Sequence, residues 1–253
     1  MLRPHDESND RNHRLPLVAG AAEEPLLRFS RIHAIELPQW PGGDRRMSGP
    51  RRSSGTWRER QERDPYVRKA RQEGWRSRSV YKLEEIASKV PVLVPGMTLV
   101  DLGAAPGGWS QYVASRLKLK VRIVAIDILP MDSLPCVEFI QADFSADSGL
   151  ARLLEVLDGA PVDLVMSDLS PNITGTKAID QPGSMHLAEL ALDAATRVLR
   201  HQGNFVCKLF QGEGSDAFVA YARQRFEKVR IMKPRASRPG SSEVYLVARN
   251  YRL

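Results

Sequence analysis

The strongest local signal in the chain is a run of small residues, LVDLGAAPGGWSQYV, over residues 99–113. A strand ends at Asp101 and a helix begins near Trp109. Gly103, Gly107 and Gly108 therefore stand where the backbone lets a ligand approach closely, beside the free N–H groups of a helix start. Three aspartates follow at strand ends: Asp127 closes VRIVAID, Asp143 stands in QADF, and Asp168 follows VMS in VMSDLSPNITG. In a doubly wound sheet these ends gather at the crevice where nucleotide-like ligands bind. Asp127 would there accept hydrogen bonds from ribose hydroxyls, and Asp143 would take a donor from adenine. Each aspartate taken singly reads equally well as an ordinary strand end or helix cap. In series they describe an adenosine site.

That site carries no phosphate clamp. Gly103 is followed by Ala104, Ala105 and Pro106, so GxGxxG is absent, and no GK[ST] closes a P-loop. S-adenosyl-L-methionine is a ligand of this kind. Asp168-Leu169-Ser170-Pro171 lacks the Asn/Asp-Pro-Pro-aromatic run expected of amino-directed DNA methylases. Pyrimidine C5 methylation would need a nucleophilic cysteine over the base. Cys136 follows the second strand and Cys207 lies within the fifth, so both read as structural. They form no CxxC or Cys/His cluster, which leaves neither a metal site nor a disulfide framework. Lys208, in NFVCKLFQG, is costly in a buried strand unless it is paired or reaches a cleft, although snorkelling to the sheet edge explains it as well. Lys82, in RSRSVYKLEEI, and Glu243, which opens the last strand, are unremarkable on their own.

The elements that must position these residues alternate. Strands are expected at Thr98–Asp101, Arg122–Asp127, Val137–Gln141, Val162–Ser167, Asn204–Phe210, Val229–Met232 and Glu243–Ala248, and helices at Trp109–Leu117, Ser148–Leu157, Gly183–Leu199 and Ser215–Phe226. A further helical pattern from about Glu62 to Val90 is interrupted around Gly74 and ended by Pro91. Apolar, β-branched strands alternating with helices give an α/β fold: a mostly parallel seven-stranded sheet, Rossmann-like, with helices on both faces. The loop Lys233–Ser242 is too short for a crossover helix, so the last two strands form an antiparallel hairpin.

Charge is unevenly placed. The chain's formal net charge is +7 over 253 residues, and residues 51–82 alone hold eleven Lys and Arg against four acids, also a net +7. A basic segment beside a neutral remainder is the footprint of a polyanion binder. Residues 1–46, rich in Pro, Gly and charge, are expected to be a disordered extension. Residues 47–90 form a basic RNA-binding segment and helix, and 91–253 the core. Met47 opens MSGPRRSSG and reads as an alternative start of translation. No apolar run approaches the roughly 20 residues of a membrane span. With no secretory signal at the start, a soluble, cytoplasmic monomer is expected.

From about Met47 to the C-terminus, the blocks SRSVYKLEEI, VDLGAAPGGWSQYV, QADF, VMSDLSPNITG, CKLFQGEG and SSEVYLVA occur in order. Together they resemble the bacterial heat-shock ribosomal RNA large-subunit 2′-O-ribose methyltransferases, the FtsJ/RrmJ group. The resemblance implies a Rossmann-like methyltransferase that uses S-adenosyl-L-methionine to methylate the ribose of a uridine in 23S ribosomal RNA, with the large (50S) subunit as partner. It implies a catalytic set of Lys82, Asp168, Lys208 and Glu243, and donor binding by Gly107, Trp109, Asp127, Asp143 and Asp168. In that reading Lys208 is general base or orienting group, Lys82 lowers its pKa, Asp168 holds it and borders the methyl group, and Glu243 positions a lysine or the ribose. The chain departs from the family in its extra N-terminal residues and in Ser170, where alanine is more usual. The same reaction on transfer RNA, a non-catalytic RNA-binding or assembly factor, and a nucleotide-dependent oxidoreductase remain open alternatives at this point.

Overall fold

The structure, a computed structural model, describes residues 63–171 and 177–253. The expectations placed on residues 1–46, on Met47 and on the basic residues up to position 62 lie outside the described residues, as does the end of the VMSDLSPNITG block.

Two short helices open the described chain. α1 (Pro65–Gln72) starts on a proline at its first turn, and the side chain of Asp64 caps it by accepting from the Tyr66 N–H at 3.0 Å. α2 (Val80–Lys89) buries Val80, Leu83 and Ile86 and stops at Val90, whose extended backbone suits the residue before Pro91. Leu83 and Ile86 are wholly buried, which is worth about 1.5–3 kcal/mol each. Residues 80–90 thus pack as part of the core.

The sheet follows as β1 (Thr98–Leu102), β2 (Arg122–Asp127), β3 (Val137–Gln141), β4 (Val162–Ser167), β5 (Leu199–Phe210), β6 (Phe226–Met232) and β7 (Glu243–Tyr251). Between them lie α3 (Gly108–Arg116), α4 (Asp147–Leu157), α5 (Lys177–Val198) and α6 (Ser215–Arg225). The strand order is β3-β2-β1-β4-β5-β7-β6, with β7 antiparallel to both neighbours and the other pairs parallel. The expected seven-stranded, mostly parallel sheet with a terminal antiparallel pair is what forms. The order reverses between β1 and β4, so the glycine loop after β1 and Asp168 after β4 flank one crevice.

Each strand divides its residues between two cores. Leu99, Ile123, Leu164, Val206 and Val247 join the cluster under α2 and α3, while Val100, Val124, Val165, Phe205 and Leu246 join the cluster under α4, α5 and α6. Four boundaries differ from expectation by three residues or more, among them the end of β7 at Tyr251 in place of Ala248. α5 starts six residues before Gly183 and carries Pro182 inside it, in the second turn, where the ring removes a backbone bond and crowds the carbonyl four residues earlier. β5 starts at Leu199 because a wide irregularity opposes Val162–Leu164 to Leu199–Asn204, taking up the polar residues Arg200–Gln202. β6 starts at Phe226, a residue expected to end the preceding helix. No described helix is long and apolar enough to cross a membrane.

Candidate active site

Strand pairing does most of the positioning. On β5 and β7, Lys208 lies opposite Tyr245 and Phe210 opposite Glu243. Directly opposed residues share a face, so Lys208, Glu243 and Tyr245 all project towards α2, which brings Lys82. Asp168 enters from the first residue after β4.

These side chains form two adjoining ion pairs. The Lys208 Nζ donates to the Asp168 carbonyl oxygen at 3.0 Å and to its Oδ1 at 3.2 Å. The Tyr245 hydroxyl donates to the same Oδ1 at 2.5 Å. The Lys82 Nζ lies 2.8 Å from the Glu243 carboxylate, whose Oε1 also accepts from Ser237 Oγ at 2.7 Å. Lys82 further sits 5.6 Å above the Tyr245 ring, and that ring tilts against Trp109 at 5.8 Å. Lys82, Lys208 and Glu243 are all buried, so each charge needs the partner it has. Burial pushes the Asp168 carboxyl up, but Lys208, Lys82 and the Tyr245 hydroxyl outweigh it and hold it below the usual carboxylate range. Burial first, and then the Asp168 charge, push the Tyr245 hydroxyl far above the usual phenol range.

Two cavities meet at this cluster. One, of about 220 Å³, is walled by Ser77, Asp101, Gly103, Pro106, Trp109 and Asp168. The other, of about 190 Å³, is walled by Lys82, Ser170, Phe210, Arg238, Ser241 and Glu243. Arg78 lines both. Its guanidinium reaches Asp64 and the Ala236 carbonyl, and its buried Nε has no hydrogen-bond partner among the described residues.

The first cavity is a glycine cradle with an acidic floor. Gly107 has φ +99°, and a Cβ there would press on Met131, Arg76 and Leu134, so only glycine suits. Asp101 is buried and accepts from Ser110 Oγ at 2.7 Å; burial, aided by Asp168 and Asp127, lifts its carboxyl to about 7. Asp127 ends β2 and accepts from Ala105 N and Leu129 N, both at 2.8 Å, which ties the glycine loop to the loop after β2. Asp143 accepts from Ser145 N and Oγ through Oδ1 alone. Neither Asp127 nor Asp143 lines the first cavity. They stand beside it, joined by the Ala142 N–H bonding to the Asp127 carbonyl at 2.9 Å. The Trp109 side chain is almost wholly buried, and its Nε1 donates to the Ser79 carbonyl.

Four contributors were not singled out from the sequence. Tyr245 binds Asp168, Ser237 binds Glu243 and Asp101 underlies the cradle; only the position of Tyr245, two residues after Glu243 and so on its face of β7, could have pointed to it. The fourth is Arg76, whose guanidinium donates to the carbonyls of Pro106, Asp132 and Ser133 at 3.3, 2.7 and 2.9 Å. Its backbone N–H donates to the Gln111 side chain at 2.9 Å, and Gln111 returns a bond to the Gly74 carbonyl at 3.0 Å. The basic segment is thereby clasped to the glycine loop of the first cavity and to the loop after β2. Cys207 points into the opposite core, where burial lifts its thiol to about 12, while Cys136 is exposed.

Residues 75–251 match the family of FtsJ-like methyltransferases. The chain belongs to that family. The matched span contains the whole Lys82, Asp168, Lys208, Glu243 and Tyr245 cluster and the Arg76 clasp. Among curated FtsJ-like relatives, the ribosomal RNA large subunit methyltransferase E of Pseudomonas aeruginosa is 52% identical over 201 residues, covering 79% of this chain and 97% of that protein. Its counterpart from Halorhodospira halophila is 55% identical over 192 residues, covering 76% and 91%. A crystal structure described as a ribosomal RNA methyltransferase from Plasmodium falciparum superposes with a TM-score of 0.63 at 29% identity, over 70% of this chain and 98% of that one.

Proposed function

We propose that the protein transfers a methyl group from S-adenosyl-L-methionine to the 2′-hydroxyl of a uridine ribose in 23S ribosomal RNA of the large subunit. The observation that carries the reading is the Lys208–Asp168 pair: Asp168 walls the glycine cradle, Lys208 bonds to it from behind, and Arg78 lines both that cradle and a second, cation-lined cavity. The names of the curated relatives support ribosomal RNA of the large subunit as the target.

The first cavity suits the donor on two counts. Its backbone is open at Gly103 and Gly107, both with positive φ, and Asp127 and Asp143 each keep acceptor capacity for a nucleoside alongside. Asp168, held ionised, gives it a negative field, which favours a cationic sulfonium and disfavours the pyrophosphate of a dinucleotide. When bound there, S-adenosyl-L-methionine supplies an electrophilic methyl group on its sulfonium. The chain's residues do the rest. Lys208, held on two oxygens of Asp168, orients the ribose hydroxyl and, once its ammonium has given up a proton to solvent, takes the hydroxyl proton on the free amine as the oxygen attacks. Asp168 sits between Lys208 and the donor cavity and fixes the line of approach. Lys82 and Glu243 wall the acceptor cavity as a neutralised pair, with Lys82 adding to the positive field that keeps Asp168 ionised. Arg78 and Arg238 present cations to the phosphates flanking the target nucleotide.

Lys208→Ala tests the assignment. General base catalysis contributes about 10²–10⁴-fold, so radiolabelled methyl transfer to large subunits should drop by at least that factor, with donor affinity by calorimetry retained. Offering naked ribosomal RNA, transfer RNA and large subunits in parallel, then mapping the methylated nucleotide, identifies the substrate. Wild-type turnover in the variant would remove Lys208 from the chemistry, and transfer to transfer RNA alone would overturn the choice of RNA.

A further inference from the structure

The charge outside residues 51–82 sums to zero but is far from uniform. Residues 223–253 carry nine Lys and Arg against two acids, a net +7 equal to that of the N-terminal basic segment. Residues 83–222 hide it with ten cations against seventeen acids, a net −7.

The fold spreads this second basic block along the outermost strand of the sheet. Among the described strands β6 pairs only with β7, and its other edge exposes Lys228 and Arg230, followed by exposed Lys233. Arg230, Ile231, Met232 and Lys233 face Lys89 and Val90 of α2 across a groove of about 460 Å³. Among the described residues, Arg230 and Lys233 make no ion pair, and Lys89 alone has one, with Glu85. The chain then continues from Lys233 through exposed Arg235 to Arg238, which lines the acceptor cavity together with Ser241. The groove and the acceptor cavity are therefore the two ends of one ten-residue connection. Unpaired cations of one sign repel each other, and a polyanion laid along them relieves that repulsion while releasing its own counterions.

We propose that the β6 edge and its groove bind the phosphodiester backbone of the substrate RNA away from the reacting nucleotide, as a second contact area beside the one around residues 51–82. The inference rests on RNA being the substrate. Charged edge strands also serve simply to block strand-to-strand aggregation, and the experiment separates the two roles.

The test is the double variant Lys228→Gln with Arg230→Gln, which spares Lys233 because its ammonium bonds the Ser241 carbonyl at 2.8 Å. RNA binding and initial rates are measured on full-length ribosomal RNA or large subunits, and on a short fragment spanning the methylated nucleotide. Each phosphate contact contributes about 0.7–0.9 to the slope of log affinity against log salt. The double variant should therefore lower that slope by about 1.5 on the long RNA and weaken binding there roughly ten- to thirty-fold near 0.1 M salt. Binding of the short fragment, its rate of methylation and donor affinity should match wild type. A wild-type slope and affinity on long RNA would overturn the proposal, and if the variant also aggregated, the charges would be edge protection. An equal loss on the short fragment would overturn it too, by placing both residues at the target nucleotide. If the wild-type protein methylated no RNA, the proposed function would fail, while the salt slope of binding would still decide whether this edge holds RNA.

Discussion

At the scale of single residues, the centre of the site is one oxygen atom. Oδ1 of Asp168 accepts from both the Lys208 ammonium and the Tyr245 hydroxyl, so the carboxylate is pinned from two directions before any substrate arrives. Hydrogen bonds to a charged group contribute about 1.5–3 kcal/mol. Tyr245→Phe should therefore lower kcat by roughly ten- to a hundred-fold with little change in donor affinity, and should shift the acid limb of the rate profile to higher pH, because Asp168 loses a bond that favours its ionised form. An unchanged pH profile would show that Tyr245 only fills space. Asp101 supplies a prediction of opposite sign. Its carboxyl is raised from 3.8 to about 7 in the folded protein, so the fold binds a proton that the unfolded chain has already released between those values. Stability is then greatest below pH 4 as far as this group is concerned and is lost as pH rises through 7, by about 4 kcal/mol at about 1.4 kcal/mol per unit. Denaturant unfolding of Asp101→Asn should show a flatter decline from pH 5 to 8 than wild type, a range chosen to bracket that value. Lys208 and Asp168 could be singled out in the sequence because a lysine in an apolar strand and an acid at a strand end are costly or conspicuous. Tyr245 offered only its position two residues after Glu243, because EVYLV is uniformly strand-like and its composition does not mark the aromatic residue as polar in purpose.

At the scale of elements, the basic segment does more than face RNA. Arg76 bonds three carbonyls, one on the glycine loop that lines the first cavity and two on the loop after β2, and in the sequence it was one of eleven cations in a segment read as a polyanion binder. A lysine keeps the charge but cannot reproduce the planar fork. Arg76→Lys is expected to raise the donor Kd by roughly five- to thirty-fold, the loss of one or two net hydrogen bonds, with the salt dependence of RNA binding unaltered. Calorimetry with donor alone reads the first, and a change confined to RNA affinity would show that Arg76 serves phosphates instead. β1, β2 and β4 were legible because burial on both faces makes them short, mostly apolar runs. The early start of β5 was not, since Arg200–Gln202 lie in an irregularity that no alternation announces. Nor was the insertion of β7 between β5 and β6, the arrangement that sets Glu243 and Tyr245 beside Lys208.

For the whole molecule, charge and packing are organised separately. Methylation is expected to weaken steeply with salt, since cations flank the acceptor cavity on several sides. Initial rates on RNA measured between about 50 and 300 mM salt check this, and a flat response would remove electrostatics from substrate capture. Tallying charge over the whole chain showed one basic segment and concealed the second, because the acidic middle cancels it; only the strand order shows that the second lies along a free edge. The division of each strand between two cores has a consequence for how this protein tolerates change. Lys82, Lys208, Glu243, Tyr245 and the floor at Asp101 all lie on the α2–α3 side of the sheet, and the side under α4, α5 and α6 holds none of them. The far side is thus ballast away from Phe144 and Leu169: repacking there is expected to leave the proposed catalytic residues in place, whereas even conservative swaps among Leu99, Val206 and Val247 would shift the ground beneath them.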